Sequence, residues 1–97
     1  HGGPWKETAV EAGKPSDPYL MTGYDRKRLS LRNHGGQPVR ITVELDVAGD
    51  GRFLPYRTFD VPAGESVGHD FPEWLNAYWV RAVSDRAGIL SAQLAYE

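Results

Sequence analysis

The clearest signal along the chain is a strict two-residue alternation. Val39, Ile41, Val43, Leu45 and Val47 alternate with Arg40, Thr42, Glu44 and Asp46. Successive side chains on a strand point to opposite faces, so this run predicts a half-buried strand with one wet face. The same period starts at Lys27, where Leu29 and Leu31 alternate with Arg28, Ser30 and Arg32. Asn33-His34-Gly35-Gly36-Gln37 is the turn cluster between the two runs. Ala48-Gly49-Asp50-Gly51 closes a hairpin onto a return strand at 52–61. Pro55 places that strand at an edge or on a bulge, because proline brings no N–H to a ladder. After the turn Pro62-Ala63-Gly64-Glu65, a short strand at 66–71 puts Val67, His69 and Phe71 on one face. Residues 72–76 form a loop carrying Trp74. Aromatic and β-branched residues fill 77–84, Asp85-Arg86-Ala87-Gly88 turns the chain, and 89–96 forms the last strand.

These six strands, short connections and absence of a helical period predict an all-β fold. The expected architecture is an antiparallel β-sandwich of immunoglobulin or fibronectin type. Residues 1–25 read differently. Pro4, Gly13, Pro15 and Pro18 break every period, which predicts an irregular, extended N-terminal arm. Trp5, Val10, Tyr19, Leu20 and Met21 are too apolar for a solvated tether, so the arm is expected to pack on a domain at 26–97.

Composition narrows the function classes. The chain has 97 residues, enough for one domain, with 40% hydrophobic and 25% charged residues, which excludes wholesale disorder. A net charge of −2 and a pI near 5.9 give no basic field, so nucleic acid is not an expected partner. No apolar run approaches the ~18 residues of a spanning helix, so membrane insertion is not expected. Without a cysteine there is no disulfide scaffold, thiolate nucleophile or Cys-ligated zinc. The chain begins at His1 with no initiator Met and no leader, as expected of a processed or excised piece.

Two motifs invite chemistry and are better read as turns. Gly64-Glu65-Ser66-Val67-Gly68 matches the pattern of a nucleophile elbow. That elbow needs a strand before it, a helix after it and a later acid and His, none of which follows here. Asp46-Val47-Ala48-Gly49-Asp50-Gly51 resembles the start of an acidic calcium loop. Ala48 stands where a ligand is needed and Arg57 where the late Glu belongs, so a hairpin turn explains the run.

Histidines and aromatics supply the remaining candidates. A free His1 amine and imidazole, completed by His34 or His69, would make a nitrogen-rich Cu(II) site. Against this, His34 reads as a turn residue and His69 as partly buried. Trp5, Trp74, Tyr78 and Trp79 are candidates for stacking on sugar rings. Tyr78 and Trp79 are expected on opposite faces of a strand, one of them filling the core, while Trp74 in its loop is the most readily exposed. Arg26, Arg28, Arg40 and Arg57, interspersed with Glu44 and Asp46, read as a solvated face rather than a phosphate platform.

Several segments carry a family resemblance. Ser16-Asp17-Pro18-Tyr19-Leu20-Met21-Thr22-Gly23-Tyr24-Asp25-Arg26-Lys27, Tyr56-Arg57-Thr58-Phe59, Val61-Pro62-Ala63-Gly64-Glu65 and Ala77-Tyr78-Trp79-Val80-Arg81 resemble the C-terminal part of secreted bacterial sialidase-like (BNR-repeat) β-propeller proteins. The resemblance runs over most of the chain. It implies a β-sandwich appended to a propeller, secreted or at the cell surface, with the catalytic residues elsewhere. One departure is visible: Asp85-Arg86-Ala87-Gly88-Ile89-Leu90-Ser91-Ala92 stands where a Cys-Thr pair is expected.

The expected function is therefore a non-catalytic accessory or interaction module of a secreted carbohydrate-active or surface protein. Its partner would be the parent propeller or another protein subunit, with glycan contact through Trp74, and no cofactor is called for. The alternatives are a small copper-binding protein using His1 and a structural subunit of a larger assembly.

Overall fold

A computed structural model describes residues 2–96. In chain order the strands are β1 (Gly2–Val10), β2 (Tyr19–Leu20), β3 (Lys27–Asn33), β4 (Val39–Asp46), β5 (Leu54–Val61), β6 (Ser66–Asp70), β7 (Trp79–Ser84) and β8 (Gly88–Tyr96). The last six lie where alternation predicts them. They make an all-β antiparallel sandwich of two four-stranded sheets, with orders β1-β8-β3-β6 and β2-β7-β4-β5.

The expected immunoglobulin-like strand order is corrected. In that order half of the consecutive strand pairs stay in one sheet, whereas here β4 and β5 alone among the described strands do. Here β1 pairs with β8, β2 with β7, β3 with β6 and β4 with β5. The chain is one long antiparallel ribbon doubled back at the β4–β5 turn. Winding that ribbon brings β3 beside β8 and β4 beside β7. This connectivity is a jelly roll.

The irregular arm is corrected as well. Residues 2–10 form an edge strand of one sheet and Tyr19–Leu20 an edge of the other. β1 hides its period because its register against β8 shifts twice, between Gly2 and Trp5 and between Trp5 and Thr8. Glu7 adopts a left-handed φ of 46° inside the second shift. Such bulges re-aim side chains, and here Trp5 turns inward to 4% exposure beside Val10, Leu90, Ala92 and Leu94 of the core. Gly3 permits the close approach: a Cβ there would collide with the Ala92 carbonyl oxygen and stand 2.6 Å from the Gln93 Cα. The radius of gyration, 12.5 Å, equals the ~12.5 Å expected of a compact chain this long, so among the described residues no segment hangs away from the body.

The core lies between the sheets. Leu29, Leu31, Ile41, Val43, Leu45, Val80 and Ala82 point into it from the inner strands. Asn33, also buried, replaces the missing backbone partners of the next turn. Its Nδ2 donates to the carbonyls of Gln37 (2.7 Å) and Val61 (3.1 Å), and its Oδ1 accepts from the Gly35 N–H. Pro55 lies on the edge strand β5, at a register shift opposite Val43 and Glu44.

The open side between edge strands β5 and β6 is closed by an aromatic cluster. The Tyr56 hydroxyl lies 2.8 Å from His69 Nε2, and Phe59 and Phe71 pack against the imidazole. Burial, then the nearby Arg57, pulls the His69 imidazole below its ordinary value; Asp70 opposes this and Arg28 reinforces it. In the neutral tautomer that carries its proton on Nδ1, the imidazole Nε2 accepts a hydrogen bond from the Tyr56 hydroxyl.

Candidate interaction surface

Antiparallel winding sends the loops alternately to two ends of the sandwich, and the ends differ in chemistry. Loops 11–18, 34–38, 62–65 and 85–87 form one end, composed of Gly, Pro and charged residues with few apolar side chains. Loops 21–26, 47–53 and 71–78 form the other. Among the described residues the exposed large apolar side chains are Leu20, Tyr24, Val47, Leu54, Trp74, Tyr78, Trp79 and Ile89. All but Ile89 belong to the second end, in its loops or at the strand termini that feed them.

This end is held by a buried carboxylate. Asp46 Oδ1 accepts the N–H groups of Gly49 (2.8 Å) and Asp50 (3.2 Å), and Oδ2 accepts that of Gly51 (2.9 Å). Burial by itself raises the Asp46 carboxyl, but the donors from Gly51, Gly49 and Asp50 outweigh it and hold the group below the ordinary carboxylate value. Gly49 and Gly51 take positive φ, 75° and 84°, so the loop turns tightly. The Tyr78 ring lies on Gly49, where a Cβ would stand 3.1 Å from ring carbons. Tyr78 N–H donates to the Asp46 carbonyl (2.9 Å) and Met21 N–H to the Tyr78 carbonyl (2.8 Å), which links the three loops.

Sequence reasoning placed Asp46 on the wet face; the structure buries it. The signal was present: an Asp three and five residues before glycines is the pattern of a side chain that caps its own turn. Its oxygens are engaged by N–H groups, as the hairpin reading requires.

A second tie runs through tyrosines. Tyr24 and Tyr96 stack with ring centroids 4.3 Å apart, and the Tyr96 hydroxyl donates to the Leu20 carbonyl at 2.5 Å. Burial, with Tyr19 and Tyr24 nearby, raises the Tyr96 hydroxyl well above its ordinary value, so it remains a donor across the physiological range. The buried Lys27 Nζ donates to the Tyr24 carbonyl at 2.7 Å.

The aromatic candidates separate by position. Trp5 is a core residue. Trp74, in a loop turned by the Leu75 N–H to Pro72 carbonyl bond, is 77% exposed. Tyr78 and Trp79 are both exposed, 48% and 36%, so neither fills the core as alternation suggested. The strand begins only at Trp79; Tyr78 belongs to the loop, and Ala77 and Val80 take the inner places.

Trp79 opens onto a recess that the sequence reading did not identify. About 340 Å³ in volume, it is lined by Pro18, Asp46, Gly49, Gly51, Phe53 and Trp79. Phe53 folds over Arg81, whose guanidinium carbon lies 4.2 Å from the ring centroid. Arg81 Nε donates to Glu44 Oε1 at 2.6 Å, in a pair whose side chains are only 28% and 20% exposed. Glu44 and Arg81 both occupy wet-face positions in the sequence, but their meeting depends on the β4–β7 register, which local pattern does not reveal.

The histidines are not brought together. His34 Nε2 lies 2.8 Å from Ser91 Oγ, over the outer face of the β1-β8-β3-β6 sheet. His69 is opposite Leu29, on the inner side of that sheet. Five residues of strand, ~16 Å, separate His34 from Leu29. His1 lies outside the described residues. Among the described residues no group of three or more His, Cys, Asp or Glu is placed to hold a metal ion.

Arg28 and Arg40 pair with Asp70 (2.8 Å) and Asp60 (2.9 Å). Arg26 lies 3.7 Å from Glu73 at the aromatic end. Among the described residues no helix is long and apolar enough to cross a membrane. No family model, no curated protein and no solved structure matches the chain.

Proposed function

We propose that the chain is a non-catalytic accessory module of a secreted or cell-surface bacterial carbohydrate-active protein, packing its aromatic end against a larger protein domain. The resemblance to the region that follows sialidase-like propellers names the expected partner. The observation that carries the reading is the segregation of exposed apolar side chains to one end. Scattered single apolar residues are ordinary on a surface, whereas a contiguous cluster marks a contact site. Exposed Trp and Tyr anchors on tied loops supply contact area with little ordering cost.

Hydroxyl-radical footprinting tests this. The 97-residue chain is compared with a longer polypeptide in which it is joined to its propeller. Protection of Trp74, Tyr78 and Tyr24 in the longer polypeptide, with the Ile89 end unchanged, is the expected result. Equal reactivity of all three in both forms refutes the docking role.

A further inference from the structure

The outer face of the β2-β7-β4-β5 sheet is left uncovered by the fold, and its side chains form a track running inward from the recess. β7 contributes Trp79, Arg81 and Val83; β4 contributes Glu44 and Thr42 beside them; β5 contributes Thr58. Four residues of strand make the track ~13 Å long, and three strands make it ~10 Å wide. Beyond Thr42 and Thr58 it ends at Arg40 and Asp60.

Three features of this track point to one ligand chemistry. First, it begins with flat apolar surface, the Trp79 ring and Pro18 and Phe53 around the recess. Second, polar groups with unused capacity follow at once. The Arg81–Glu44 pair is joined through Nε and Oε1, which leaves the guanidinium Nη donors and the second carboxylate oxygen for another partner. The ion pair ties the two side chains together and the Phe53 ring lies against Arg81, which lowers the ordering cost of using their tips. The Thr42 and Thr58 hydroxyls, 3.0 Å apart, bond each other and keep further acceptor capacity. Third, the charges cancel locally: Arg81 with Glu44, Arg40 with Asp60. A polyanion would find no net field here, and an extended peptide would seek unpaired backbone at a sheet edge rather than the face. A ligand with alternating C–H faces and hydroxyl rims, and no charge, satisfies all three.

We propose that this face binds a neutral oligosaccharide, with one ring stacked on Trp79 beside Phe53, hydroxyls held by Arg81 and Glu44, and the chain continuing over Thr42 and Thr58. The inference deepens the carbohydrate side of the proposed function and rests on that reading for context. Apart from Trp79 it uses none of the docking residues, so footprinting and the following titration can fail separately.

The experiment is an NMR titration of the 97-residue chain with neutral hexasaccharides of β-1,4-glucan, β-1,4-xylan, β-1,4-mannan, β-1,3-glucan and α-1,4-glucan type. At least one is expected to shift the Trp79 indole N–H, the Arg81 Nε–H and the amides of Thr42 and Thr58. Trp79→Ala and, independently, Thr58→Arg should each weaken that binding by about tenfold or more, the factor that ~1.4 kcal/mol represents. Thr58 is exposed, so its substitution obstructs the face without touching the core. Trp74→Ala should leave the affinity within about twofold. The proposal is overturned by silence of these resonances toward every hexasaccharide at ~10 mM, well above the ~1 mM scale of weak binding. Tighter binding of an anionic galacturonate hexamer overturns it too, as does loss of binding in Trp74→Ala with Trp79→Ala unaffected.

Discussion

Trp5 decides whether the first ten residues are an appendage or part of the body. Its indole is 4% exposed, in the core cluster with Leu90, Ala92 and Leu94 of the neighbouring strand β8. A buried aromatic removes ~150–250 Å² from water, and at ~25 cal/mol per Å² that is worth ~4–6 kcal/mol. The value is an upper bound, because a denatured chain already hides part of this area. Direct truncations of buried Phe or Trp cost ~3–5 kcal/mol, and we take that range for Trp5→Ala. A domain this size is stable by ~5–15 kcal/mol in total, so one substitution removes about a fifth or more of it. With ~2.1 cal/mol/K of unfolding entropy per residue, each kcal/mol lowers Tm by ~5 °C, giving a fall of ~15–25 °C. Urea unfolding followed by far-UV circular dichroism gives the free energy, and a thermal scan the Tm. Trp74→Ala, at a 77% exposed position, is the matched control and should move stability by less than ~0.5 kcal/mol. If Trp5→Ala costs under ~1 kcal/mol with an unchanged urea slope, the bulged strand does not bury its tryptophan and the account of β1 is wrong.

Other outcomes follow from the same structure. The His69 imidazole is held below its ordinary value in the fold, so stability should be level above pH ~6.5 and decline as pH falls from there toward the lowered value. In urea titrations from pH 8 to 5, His69→Gln should lose that decline, and an unchanged slope in the variant assigns it to another group. Tyr56→Phe removes the hydroxyl that meets His69 Nε2 and should cost ~0.5–1.5 kcal/mol at pH 8. Asp46→Ala leaves the N–H groups of Gly49, Asp50 and Gly51 without their acceptor, so fast amide exchange at these three residues is expected, with broadened Tyr78 resonances. The wild-type loop should lose protection only in acid, below the ordinary carboxylate value of 3.8, as pH falls through the lowered value of Asp46. Trp74→Ser should reduce binding of an apolar dye such as ANS without lowering Tm, because Trp74 is 77% exposed, and equal dye binding places the accessible apolar surface elsewhere.

The parts of the molecule that were legible in the sequence are those governed by neighbours along the chain. Val39 to Leu45 alternates because one face of β4 meets the core and the other is turned toward water. Gly49 and Gly51 mark a turn needing left-handed backbone, and Pro55 marks an edge strand. Trp74, in a loop behind a proline, was expected to be exposed and is. The parts that were missed involve chain segments far apart. β1 carries no period because two bulges, close approach at Gly3 and a left-handed Glu7 aim its side chains one at a time. Tyr78 and Trp79 escape the core because the strand begins only at Trp79 and Ala77 and Val80 take the inner places, while the Tyr78 ring lies on Gly49, nearly thirty residues earlier. Neither Glu44 nor Arg81 signals the other until β4 and β7 are in register.

By itself, then, the sequence determined that this is an all-β chain of short antiparallel strands, because side-chain alternation, proline and glycine act within a few residues. The jelly-roll winding of the ribbon, the place of its first strand in a sheet and the gathering of the exposed aromatic residues at one end emerge in three dimensions alone. Each of these depends on which strands pair, and pairing is settled by how the whole set of apolar faces is buried at once.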